Sequence, residues 1–218
     1  MSFPNAYQGV KKLFTSEILN IISGICLAIA AISAAVMGAG AVSAENANAI
    51  TDGQAAAVLG GGIAATIFLV AGVIIALIAY ILMIVGIGKG MKDEPAFKTA
   101  FIFVFVGLAC NLVGSFIPGT FGSILKSLGQ ICTLIVFIFI ILAIKNLALK
   151  LNDESVVKTG NTILYILVVI YVLTFIASIV SIWAVGVASV LAIIAAVLNV
   201  ISYIIFLVYL SKAKKMLA

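Results

Sequence analysis

Polar and apolar positions along this chain separate into long blocks. Uncharged stretches cover 18–44, 53–88, 99–125 and 127–144, and a last one runs over 159–211. A helix rises about 1.5 Å per residue, so about 20 apolar residues cross a hydrocarbon core of about 30 Å. Each of the first four stretches predicts one crossing. The last would be roughly 80 Å long as a single helix and must fold back, which gives six. That fold-back is marked only by Ser181, Trp183 and Gly186, with no Pro nearby. Between the third and fourth crossings "GSFIPGTFGS" at 114–123 predicts a turn. Lipid offers backbone groups no hydrogen bonds, so such a turn belongs at or beyond the membrane surface.

The polar breaks repeat. "MKDEPAFKTA" at 91–100 and "LNDESVVKTG" at 151–160 carry Asp-Glu followed by Lys-Thr in the same spacing, so that Asp93, Glu94, Lys98 and Thr99 align with Asp153, Glu154, Lys158 and Thr159. "YILMIVGIGKGMK" from Tyr80 and "YIIFLVYLSKAKK" from Tyr203 suggest a further copy at the chain's ends. The chain is therefore expected to be an all-α integral membrane protein, one membrane domain over 1–218, with six transmembrane helices. They form three parallel two-helix hairpin repeats, 7–90, 91–151 and 152–215, around an axis along the membrane normal. Acidic residues at a helix start complement its dipole, Pro95 suits a first-turn position, and Glu94–Lys98 and Glu154–Lys158 have the favoured i,i+4 order. These six charged residues mark where spans begin; as an alternative they form a cytoplasmic docking face.

Composition supports the membrane class: 65% of the 218 residues are hydrophobic, mean hydropathy is +1.40 and only 9% are charged. Eleven of the twelve lysines fall before the first crossing, after the last, or in the second and fourth loops, leaving Lys126 alone on the other side. The positive-inside rule then places both termini in the cytoplasm, with the plasma membrane of a prokaryote as the expected location. The net charge of +5 reads as attraction to anionic lipid headgroups and not as nucleic-acid binding. The apolar run 18–44 is too long for a signal-peptide core. Cys26, Cys110 and Cys132 read as buried apolar thiols.

Helices pack in lipid through small residues. Cys26, Ala30, Ala34 and Gly38 recur every fourth position in the first crossing, and Ala184, Ala188, Ala192 and Ala196 do so in the sixth. Those faces are expected against neighbouring helices, or in self-association. Intramembrane ionisable and amide groups are expensive and so are the natural site candidates. Glu17 is such a group unless 3–16 lies as an amphipathic segment on the surface, which would leave Glu17 at the interface. Asn20, Asn111 and Asn199, one per hairpin, are read as hydrogen-bonding glue between helices or as the lining of a solute path.

The chain has no Arg and no His, no paired intramembrane carboxylates, no phosphate-binding lysine loop and no metal-ligand spacing. No catalytic, cofactor or metal site is expected, and the protein is read as no enzyme. The leading expectation is a non-enzymatic assembly or accessory subunit acting through its helix faces and cytoplasmic loops. The alternative is a small channel or transporter for a neutral or weakly polar solute. Its partners are the lipid bilayer and either another membrane protein or a second copy of itself.

Overall fold

The computed structural model describes residues 3–45, 52–180 and 185–218, with side chains described outside 36–61, 177–189 and positions 64, 175 and 192. Six helices occupy almost all of this: α1 Pro4–Glu45, α2 Asp52–Gly90, α3 Ala96–Phe116, α4 Thr120–Lys150, α5 Glu154–Val180 and α6 Val185–Leu217. There is no strand among the described residues. All six helices contain a segment long and apolar enough to cross a membrane.

The helix ends follow local chemistry. α3 stops at "IPG": Pro118 disfavours a helical residue before it, and Ile117 is extended at φ −101° and ψ 111°. Gly119 then takes φ +86°, a conformation that suits glycine. The break thus falls inside the predicted turn, and Lys126 lies within α4. At the other end of α4, Asn152 adopts φ 56°. The Asp153 amide donates to Ala148 O at 2.9 Å and the Asn152 amide to Leu149 O at 3.3 Å, which is a Schellman closure with Asn in the glycine role. α1 begins at Pro4 and runs unbroken past Glu17, so 3–16 is not a separate surface segment. The turn between α5 and α6 lies outside the described residues.

The chain forms two compact units, one of Met1–Phe14 and Ile84–Ala218, the other of Thr15–Met83. In the second unit α1 and α2 run antiparallel along a seam of small residues. The Ser16 hydroxyl donates to Ala79 O and the Ser23 hydroxyl to Gly72 O, both at 2.8 Å. These pairs step by seven in opposite directions, and the next step, Ala30 and Ala65, is also buried. A Cβ on Gly72 would lie 3.0 Å from the Leu27 side chain, so Leu27 packs directly over that glycine.

The same spacing recurs in the first unit. A Cβ on Gly9 would lie 2.6 Å from Gly86 O. On α3 the buried positions Ala100, Gly107 and Gly114 step by seven, as do Gly122, Gly129, Val136 and Ala143 on α4. Val156, Ile163 and Ile170 on α5, with Ala195, Ser202 and Tyr209 on α6, have the same spacing. A seven-residue step keeps one stripe of each helix facing its partner along a gently supercoiled seam. The stripe is glycine, alanine and serine between α1 and α2 and mostly small between α3 and α4, whereas β-branched residues and a tyrosine fill it between α5 and α6.

Outside these seams every helix shows large apolar side chains, among them Ile32, Leu77, Phe116, Phe121, Val168 and Ile193. Such a surface suits a lipid environment, because soluble proteins rarely expose contiguous apolar area on this scale.

Candidate functional site

The two copies of the Asp-Glu motif do different things. Asp153 caps its own helix, its Oδ1 accepting the Val156 amide at 3.1 Å. Asp93 caps a different helix: its Oδ2 accepts the Ala6 amide at 2.7 Å, in the first turn of α1, and its Oδ1 accepts Asn5 Nδ2 at 3.0 Å. The loop can place it there because the Asp93 and Glu94 amides both fold back on Gly90 O at 3.1 Å. Gly90 has no room for a side chain, since a Cβ would lie 2.7 Å from the Phe97 ring.

Glu94 and Glu154 diverge just as far. Glu154 is exposed and pairs with Lys158 at 3.5 Å, the i,i+4 contact its spacing predicts. Glu94 is 4% exposed and turns away from Lys98. Its carboxylate accepts Lys150 Nζ at 2.6 Å and Asn146 Nδ2 at 3.0 Å, both from the end of α4. Lys150 also lies 6.0 Å from the centroid of the Phe3 ring, and Lys89 donates to Gln8 Oε1. The start of α1, the end of α2, the α2–α3 turn and the end of α4 are therefore joined in one polar clasp within the first unit. Asn5, Asn146 and Lys150 carried no signal in the sequence, because their partners are 52 to 88 residues away.

A second tie joins α4, α5 and α6. Tyr209 is fully buried, donates its hydroxyl to Ile141 O at 2.9 Å and lies over Gly160, where a Cβ would come within 3.0 Å of the hydroxyl oxygen. Lys212 donates to Ser155 Oγ at 3.2 Å and Thr159 Oγ1 at 3.4 Å.

Among the residues singled out as intramembrane polar groups, Glu17 is buried, at 3% exposure, within the α1–α2 unit. Asn20, Asn111 and Asn199 are each exposed on their helix. Asn111 Nδ2 donates to Gly107 O at 3.0 Å and its amide lies where a Cβ on Gly129 would be. Of the small-residue ladders, Ala30 is buried, Ala34 and Ala196 are exposed, and Ala195 is the buried residue of its stretch. The side chains of Gly38, Ala184, Ala188 and Ala192 lie outside the described residues.

Next to the Tyr209 tie a groove of about 560 Å³ opens between α4, α5 and α6. Phe137, Ile141, Ile163, Leu167, Tyr203 and Phe206 line most of it, with Thr133, Asn199 and Ser202 as further polar groups. It lies beside Ser202 of the α5–α6 seam. No group of three or more metal-ligating side chains occurs among the described residues. No protein-family model, curated protein or solved structure matches the chain.

Proposed function

We propose that the chain is an integral protein of the plasma membrane, with both termini cytoplasmic, acting as a non-enzymatic assembly or accessory subunit. The observation that carries this reading is the outward position of Asn20, which is exposed on α1 and makes no hydrogen bond among the described residues. An amide facing hydrocarbon is costly unless another molecule satisfies it, and neighbouring transmembrane helices are the usual source of that partner. By contrast the inward serines Ser16 and Ser23 are already bound to backbone carbonyls of the adjacent helix. An amide turned outward at Asn20 fits lateral association better than a central polar path. The lysine-bearing helix ends, closed by the clasp around Glu94, supply the cytoplasmic face of such a subunit.

Native mass spectrometry of the protein released gently from its own membrane tests this. Stoichiometric co-release of another polypeptide supports the reading and identifies the partner. A bare monomer sinks it, and attention then passes to a small-solute channel or transporter, which the burial of Glu17 favours. That second reading requires solute flux in liposomes that Glu17→Gln abolishes.

A further inference from the structure

We infer that the groove between α4, α5 and α6 binds a neutral, flat, oxygen-bearing ring compound dissolved in the bilayer, with the size and chemistry of a quinone. The inference rests on the membrane reading of the chain and not on the subunit reading. Four features of the groove carry it.

The first is unspent hydrogen-bonding capacity. Ser202 is 4% exposed, lines the groove and makes no hydrogen bond among the described residues. Its hydroxyl is not sealed away from the groove either, since among the described residues no fully inaccessible side-chain N or O atom lacks a partner. Asn199, one turn away on the same wall, also makes no hydrogen bond among the described residues. A buried hydroxyl and an amide left unpaired in an apolar site cost free energy that a bound carbonyl or hydroxyl oxygen recovers. Thr133 is different, because it already donates to Gly129 O at 3.1 Å.

The second feature is charge. No Lys, Asp or Glu lines the groove among the described residues, so an ionised carboxylate or phosphate has no counter-charge from them and a neutral ligand is selected. Shape is the third. Phe137 and Phe206 meet edge to face at 5.5 Å, and Tyr203 stands on the same lining, an aromatic wall suited to stacking on a flat ring. From Thr133 to Ile141 the groove is about 12 Å long at helical rise. Its volume of about 560 Å³ lies in the range of ordinary small-molecule sites.

Depth is the fourth. Thr133 and Asn199 lie near the middle of α4 and α6, about 10 Å along α4 from Lys126 and farther from the lysines that end both helices. A phospholipid headgroup is held at the bilayer surface, whereas a wholly membrane-dissolved ring carries its oxygens to this level. Tyr209 bonded to Ile141 marks the end of the groove nearer those lysines, so the ligand enters sideways, past exposed Val200 and Ile204.

The test uses the full chain in liposomes of neutral phosphatidylcholine and a short-chain benzoquinone bearing a diazirine. Flotation and resistance to carbonate extraction report insertion by themselves, so failure of the membrane reading is seen apart from failure of the site. The expected result is photolabelling concentrated on peptides containing Phe137, Tyr203 and Phe206, and competed by unlabelled quinone. Leu167→Trp, which fills the groove, should reduce it to background. Ser202→Ala, which removes one atom and keeps the fold, should weaken competition by about fivefold, the worth of one neutral hydrogen bond. Labelling spread over all exposed helix faces, indifferent to competitor and to both variants, overturns the proposal. So does cross-linking of these residues to a second copy or another polypeptide, which would make the groove a protein interface. Equal labelling by a phosphatidylcholine with a diazirine in its acyl chain also overturns it, showing ordinary lipid.

Discussion

Glu94 reaches from the α2–α3 turn to Lys150 at the end of α4, 2.6 Å away, while its counterpart sixty residues later keeps to its own helix. The carboxylate is buried and the ammonium is 46% exposed, so the pair is half inside the protein. Removing one member leaves the other member's environment built for a charge that is gone.

Lys150→Met is therefore expected to lower the thermal unfolding temperature in detergent, with a loss of about 1–3 kcal/mol for the unpaired buried carboxylate. Glu94→Gln should cost less, since the amide oxygen can still accept from Asn146. The double variant should recover part of the Lys150→Met loss, as coupled partners do. Glu154→Gln should leave unfolding unchanged, because the pair with Lys158 is solvated at both ends. Equal effects at Glu94 and Glu154 would refute the divergence of the two motifs.

Asp93→Ala and Asp153→Ala should each cost about 1 kcal/mol, the usual worth of a helix cap. Their locations distinguish them. Hydrogen exchange should rise at the start of α1, near Asn5 and Ala6, in the first variant and at the start of α5, near Val156, in the second. Faster exchange at the start of α3 in Asp93→Ala, with α1 unchanged, would show that Asp93 caps locally after all.

The seam predicts opposite outcomes for two glycines of one helix. Gly9→Val should split α1 from α2, since even a Cβ would lie 2.6 Å from Gly86 O. Gly24→Ala has nothing within 4 Å of the added carbon and should be neutral or stabilising, by up to about 1 kcal/mol from helix propensity. Unfolding in detergent and the yield of folded protein measure both.

Tyr209→Phe keeps the ring and removes the hydroxyl that holds Ile141 O, for an expected loss of about 1 kcal/mol. Gly160→Ala should cost at least as much, because the new methyl presses on that hydroxyl at 3.0 Å. In the double variant the Gly160→Ala penalty should shrink, the oxygen being gone. Thermal scans of the three proteins settle it.

Six apolar helices, the break at Ile117–Gly119 and the Glu154–Lys158 pair were all fixed locally, by span length, by Pro and Gly chemistry and by four-residue spacing. That is why they can be read from one sequence. The buried stripe was also written in the chain, at steps of seven through Gly9, Ser16, Ser23 and Ala30, but a search at steps of four finds the neighbouring ladder of Ala30 and Ala34 instead. In a chain so rich in alanine, composition alone does not say which small residues face inward. Tertiary structure decided that, together with the choice of Lys150 over Lys98 for Glu94, and of α1 over α3 for Asp93. It also opened the groove beside Ser202. Those outcomes depend on which helix ends meet, and charges or hydroxyls 50 to 90 residues apart select one another only after packing has brought them within hydrogen-bond reach.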